Sequence, residues 1–219
     1  LILVGAVFAG ASSALESETS MQAKVVLENV RDYASAPAAT ATNYAIDGGL
    51  LFAGGPLYWN EISTPAGVIV NAVAIDNKNP DTVYIGAANG MAIYRSEDGG
   101  QSWLKVPLSD QHIGGVTDIA VDSFQRLVFV GTDTAGVFRL RDVGSSMLLS
   151  GHLMLQEPVL QVAADSSGAG LAFVRTQRYL YRAENGGLSW FTVDNLSSTA
   201  TAVAIANGKT PIIYVGTVD

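Results

Sequence analysis

A chain of 219 residues with 48% apolar residues and no cysteine is long enough to bury a core of its own without disulfide cross-links. Twelve Lys and Arg stand against twenty Asp and Glu, a formal net charge of -8, with no basic cluster. That balance excludes a nucleic-acid partner and disfavours anionic lipid headgroups.

The chain opens without a methionine, so the gene product is expected to begin upstream. Residues 1–14 are uncharged and mostly apolar, short of the roughly 20 needed to span a bilayer. They read either as a signal peptide ending near Ala11-Ser12-Ser13-Ala14 or as a retained hydrophobic helix. The second reading is adopted. Residues 15–33 lack Gly and Pro and place Val26, Val30 and Tyr33 on one stripe, which predicts that the helix continues. Residues 1–34 are thus expected to form a hydrophobic N-terminal α-helix, a membrane anchor or an assembly helix. Such a helix also resembles the stalk of type IV pilin-like subunits, although the glutamate expected near position five is missing. Residues 35–42, rich in Ala, Ser, Thr and Pro, read as a linker.

Beyond the linker the chain repeats itself. Tyr94-Arg95-Ser96-Glu97-Asp98-Gly99-Gly100-Gln101-Ser102-Trp103 recurs 44 residues on as Phe138-Arg139-Leu140-Arg141-Asp142-Val143-Gly144-Ser145-Ser146-Met147. It recurs 43 residues later as Tyr181-Arg182-Ala183-Glu184-Asn185-Gly186-Gly187-Leu188-Ser189-Trp190. Upstream of each copy lie two short β-branched and aromatic runs, such as Asn71-Ala-Val-Ala-Ile-Asp76 and Val83-Tyr-Ile-Gly86, bounded by turn residues. Each period therefore holds four strands, a to d, with the repeated phrase between c and d. The repeats span 43–66 (degenerate), 67–109, 110–152, 153–197 and 198–219 (partial).

The phrase resembles the Asp-box, S-x-D-x-G-x-[ST]-W, of sialidase-type (BNR) β-propellers, with Ser96, Asp98, Gly100, Ser102 and Trp103 in place. Asp142 and Gly144, then Asn185, Gly187 and Trp190, are its decayed equivalents. The resemblance covers residues 43–219 and implies an all-β fold, a propeller of four-stranded blades incomplete in this chain. Glycine at position 100 suits a strained turn, Asp98 and Ser96 suit bonds to local N–H groups, and Trp103 suits packing over the turn. These residues mark a fold and not a reaction centre. Among families with such boxes, the chain lacks the Arg-Ile-Pro signature of sialidases and the cysteine-rich module of sortilin-like receptors. In texture it is similar to propellers related to photosystem II assembly factors, which implies a binding platform.

In that arrangement the d-to-a and b-to-c connections share one face and the boxes lie on the other. Candidate binding residues on the first face are Arg175 and Arg178, Asp110 and His112, Asp133 and His152, with both histidines placed in d-to-a loops. Arg175 and Arg178 suit a carboxylate or carbonyl-rich surface. Arg95, Arg139 and Arg182 recur at one blade position, which points to a repeated structural role. Asp76, Asp122 and Asp165 end strand a and read as turn formers. No catalytic set, metal site or cofactor is expected.

The resulting expectation is a non-enzymatic, extracytoplasmic propeller, membrane-anchored through its N-terminal helix. It would bind other proteins as scaffold, subunit or assembly factor of a membrane or cell-surface complex. The alternatives are a sialidase- or xyloglucanase-like glycan hydrolase whose catalytic residues lie outside 1–219, and a pilin-like surface filament subunit.

Overall fold

The computed structural model describes residues 30–35, 42–55, 58–109, 114–194, 196, 198–206 and 210–218. All its regular elements there are strands. The first sheet holds β1 (Val30–Ala34), β2 (Asn43–Asp47), β3 (Leu50–Gly55) and β4 (Tyr58–Ile62). The second holds β5 (Val70–Asp76), β6 (Asn79–Ala87), β7 (Ala92–Ser96) and β8 (Leu104–Pro107). The third is β9 (Val116–Asp122), β10 (Leu127–Thr132), β11 (Val137–Asp142) and β12 (Met147–Leu153). The fourth is β13 (Gln161–Ala164), β14 (Ala172–Arg175), β15 (Leu180–Glu184) and β16 (Ser189–Thr192). A last pair, β17 (Ala200–Ala206) and β18 (Ile212–Thr217), closes the described chain.

Within each sheet the strands follow chain order and pair antiparallel, as hairpins joined by short turns must. Between sheets, β1 packs on β5, β5 on β9, β9 on β13 and β13 on β17. The first strand of every sheet is therefore innermost, and the sheets follow one another as blades.

Cores fill the gaps between successive blades. A blade flanked on both faces needs apolar residues pointing both ways, so its strands read as unbroken apolar runs. Leu127-Val-Phe-Val-Gly-Thr132 in β10 is buried throughout. Strand β18 has nearly the same composition, but its burial alternates, because among the described residues only the fourth blade covers it, from one side.

The first blade corrects the expectation of a helix through residue 34. Residues 1–29 lie outside the described residues, but Val30–Ala34 is a strand, paired with β2 through Tyr33↔Ala45 and Ala34↔Tyr44. The apparent helical stripe misled because Val30 and Tyr33 are both exposed, at 48% and 50%, while Asp32 and Ala34 face inward with the period of a strand. This strand supplies the inner edge of the blade expected to begin at 43. Of the linker expected at 35–42, residues 36–41 lie outside the described residues.

Inner strands are joined blade to blade by side chains. Asp32 Oδ2 accepts the Val73 N–H at 2.8 Å and Asp118 Oδ2 that of Val162 at 2.6 Å. Gln161 accepts from the Val203 N–H at 3.0 Å and donates to its carbonyl at 2.9 Å. These three residues hold one register position, opposite Ile46, Gly131 and Arg175 respectively. In the second blade Ala72 stands there, and its neighbour Asn71 donates to Val116 O at 2.7 Å.

Candidate functional site

The two faces of the blades differ in what they leave open. On one face the strand b-to-c hairpins are tied to the d-to-a connections: Ala88 N–H donates to Ile69 O, Val159 N–H to Thr132 O and Leu160 N–H to Arg175 O, at 2.8–2.9 Å. On the other, a-to-b turns meet c-to-d turns and the preceding blade. This is the division the repeat register predicts.

The hairpin after β14 is built on Thr176, which is fully buried. Its Oγ1 accepts the N–H groups of Arg178 at 3.3 Å and Tyr179 at 3.0 Å, while the Thr176 N–H donates to Tyr179 O at 2.9 Å. Thr132 anchors the third blade's hairpin in the same way, through Ala135 N–H and Gly136 O. A threonine at the end of strand b thus acts as a local turn clamp. Its consequence in the fourth blade is that residues 177–179 stand exposed at the hairpin tip.

Beside that tip the connection from β12 to β13 completes a cavity of about 490 Å³. Residues 154–157 form one wall; Gln177, Arg178, Tyr179 and Tyr181 form the other. Tyr179 and Tyr181 lie with ring centroids 6.0 Å apart at 58°. Met154 is 73% exposed and Tyr179 50%, which is apolar surface that folding leaves uncovered. Burial, then the nearby Glu157 carboxylate, pushes the Tyr181 phenol up.

Arg178 therefore lines the cavity, but Arg175 does not. Arg175 occupies the register position of Gly86 and Gly131. A Cβ on those glycines would lie 2.3 Å from Val116 Cγ1 and 2.5 Å from Val159 Cγ1, so neither tolerates a side chain. In the fourth blade the valine's place is taken by Ala200, paired with Thr217 as Val116 is with Thr132, and the larger residue fits. Among the described residues Arg175 Nε is buried without a hydrogen-bond partner; burial lowers the guanidinium's affinity for its proton and Asp118 offsets this. Asp118 in turn is held up at about 7, first by burial and then, against its bonds to Val162 and Ile119, by Asp32. Arg175 belongs electrostatically to the inner ring.

The other predicted site residues separate. Asp133 Oδ1 accepts the Gly115 N–H at 2.8 Å and so ties hairpin to connection. His152 is in β12 and not in a d-to-a loop: its ring stacks on Phe138 with centroids 4.1 Å apart, and its Nε2 meets Ala135 O at 2.6 Å. Aromatic stacking and a carbonyl partner drew it into the strand. Asp110 and His112 lie outside the described residues. Asp76, Asp122 and Asp165 each accept N–H groups from the following turn.

On the opposite face, residues 96–103 form a closed turn. Ser96 Oγ accepts the Gly100 N–H at 2.8 Å, and Asp98 accepts from the Ser102 N–H at 2.8 Å and its hydroxyl at 2.5 Å. These bonds hold the Asp98 carboxyl down at about 2, with Ser102 the largest cause. Gly100 has φ +94 and lies against Ile62, Tyr44 Oη donates to Gly99 O at 3.2 Å, and Trp103 Nε1 donates to Ser63 O at 3.0 Å. The turn is thereby seated on the preceding blade.

The next two turns dock likewise. Asp142, 5% exposed, keeps a local bond from Gly144 N–H at 2.7 Å and accepts Tyr84 Oη at 2.5 Å and Arg95 Nε at 2.6 Å from the second blade. Arg139 of the third blade donates to Gly186 O in the fourth. There Asn185 takes φ +53, Gly187 lies against Phe129, and Trp190 meets the Phe129 ring edge-on. Sequence reasoning assigned Arg95 and Arg139 a repeated structural role without naming their targets; their register with the turn one period later was the available signal.

No family model matches the sequence, and no curated relative does. Among solved structures the chain is similar to an ancestral GH74 enzyme, at 13% identity and TM-score 0.69, covering 86% of this chain and 29% of that one. It is similar to the extracellular domain of BT4673 from B. thetaiotaomicron at 16% identity and TM-score 0.65, covering 90% and 27%. It also resembles YCF48 from Cyanidioschyzon merolae, at 18% identity and TM-score 0.51, covering 66% and 49%. The chain thus spans less than half the length of these structures, and at such identities the likeness shows a shared fold, a run of β-propeller blades.

Proposed function

We propose that this chain is part of an extracytoplasmic β-propeller that works as a protein-binding platform, docking its partner on the face formed by b-to-c hairpins and d-to-a connections. The observation that carries this reading is the cavity between residues 154–157 and 177–181, where exposed Met154 and Tyr179 stand beside Arg178 and Glu157. On the opposite face the turns hold blades together, and the cavity there is lined by the residues of that clasp, Arg95 and Asp142 among them. Likeness to an extracellular domain supports a place outside the cytoplasm. Attachment to a membrane or surface complex through residues 1–29 belongs to the same proposal.

A glycan hydrolase is the second reading, favoured by the likeness to GH74 enzymes. Glycoside hydrolysis ordinarily needs two carboxylates flanking the bond. The platform reading is preferred because the cavity sets exposed apolar Met154 and Tyr179 beside Arg178 and Glu157, a surface suited to another protein.

A photo-crosslinking residue at position 179, compared with one at exposed position 188 on the opposite face, tests the proposal in the native host. An adduct with another protein at 179 and none at 188 is expected. Absence of an adduct at 179, or hydrolysis of a polysaccharide by the purified chain, overturns it.

A further inference from the structure

Resting on the platform reading, we infer that the cavity takes an extended segment of the partner protein in which an acidic and a basic side chain flank an apolar one. The acid would meet Arg178, the base would meet Glu157, and the apolar side chain would lie over Tyr179 and Tyr181.

Ion pairs are few among the described residues, and the charges that line this cavity take no part in them. Arg95 is bonded to Glu97 and Asp142, Arg126 to Asp142, and Arg182 to Glu184 at 2.8 Å. Arg178 and Glu157 line one cavity from opposite walls, yet among the described residues neither forms an ion pair with the other or with anything else. Glu157 is half-buried, so it has already lost part of its water and gains more from a cation than a fully exposed acid would.

A single-sign ligand fits poorly. A purely acidic segment meets Arg178 but faces Glu157 and a chain of net charge -8; a purely basic one places a like charge on Arg178. A segment carrying both signs satisfies both walls. On the Arg178 wall the two tyrosine rings, with centroids 6.0 Å apart, offer an apolar surface for one side chain. Gln156 and Gln177 bring amides able to both donate to and accept from a passing backbone. The volume of about 490 Å³ accommodates a few side chains and not a whole domain face.

The test is a titration of the full chain with fluorescein-labelled pentapeptides: Gly-Lys-Leu-Glu-Gly, its reversed-order form, and neutral Gly-Gln-Leu-Gln-Gly. One of the charged peptides is expected to bind at least tenfold more tightly than the neutral one. Arg178→Glu and Glu157→Lys should each remove that advantage, with unchanged melting temperature. The double charge swap should restore binding and reverse the preferred peptide order. Equal binding of neutral and charged peptides, charge swaps without effect, or displacement by a neutral oligosaccharide overturns the inference. Adduct formation at position 179 with no charge dependence sinks this inference alone, whereas loss of both sinks the platform reading with it.

Discussion

Asp118 is the residue at which burial and charge conflict most directly. It accepts two backbone N–H groups, Val162 at 2.6 Å and Ile119 at 2.9 Å, which favour the carboxylate; desolvation outweighs them and Asp32 adds a like charge. The outcome is a carboxyl titrating at about 7 in the folded chain, against about 4 when unfolded. The folded state therefore holds a proton that the unfolded chain releases between those values, and stability falls as pH rises through that window. Asp32, also raised by burial, contributes with the same sign. Gln161 shows what a neutral group does at the equivalent place, bonding Val203 with both amide atoms. Asp118→Asn is expected to remove most of the slope and to stabilise the chain at pH 8 by on the order of 3 kcal/mol. Urea unfolding between pH 4.5 and 8 measures this. A variant as pH-dependent as the parent would show that the charge is compensated.

At the scale of elements, the blades are held by a clasp from the c strand of one to the c-to-d turn of the next. Arg95 and Tyr84 converge on Asp142, and all three side chains are buried. Asp142→Ala is expected to cost about 2–3 kcal/mol in urea unfolding, because it takes the acceptor from the Tyr84 hydroxyl and from Arg95 Nε while Glu97 keeps the guanidinium paired. Adding Arg95→Met should recover much of that loss, whereas additive losses would mean that the two side chains do not share one interaction. Runs such as Val83-Tyr-Ile-Gly86 and the 44-residue spacing were legible because buried strands need apolar runs and each blade repeats one hairpin plan. β1 was not legible: Val30-Arg-Asp-Tyr-Ala34 carries two charges, and its inward Asp32 makes sense only once Val73 of another blade is seen to donate to it. His152 was misplaced for a related reason, since its partners Phe138 and Ala135 belong to neighbouring strand and hairpin. The cavity was half-legible. Arg178, Gln156 and Glu157 fell on the expected face, but the exposed stance of Tyr179 and the inward stance of Arg175 depend on Thr176 and Ala200.

Over the molecule, the two faces divide labour. One face joins blades through closed turns, with Trp103 over the first interblade core and a cavity of about 290 Å³ lined by the clasp residues Arg95 and Asp142; the other leaves a cavity of about 490 Å³ whose exposed Met154 and Tyr179 serve no interblade contact described above. The central claim is that stability and binding separate along this division. The most direct measurement sets Trp103→Ala beside Tyr179→Glu, reading melting temperature and capture of the partner crosslinked at position 179, each per folded molecule. Trp103→Ala is expected to destabilise by about 3 kcal/mol through lost aromatic burial and to leave capture unchanged. Tyr179→Glu is expected to leave the melting temperature within a degree or so of the parent and to reduce capture at least tenfold. Capture lost with Trp103 and retained without Tyr179 would contradict the account.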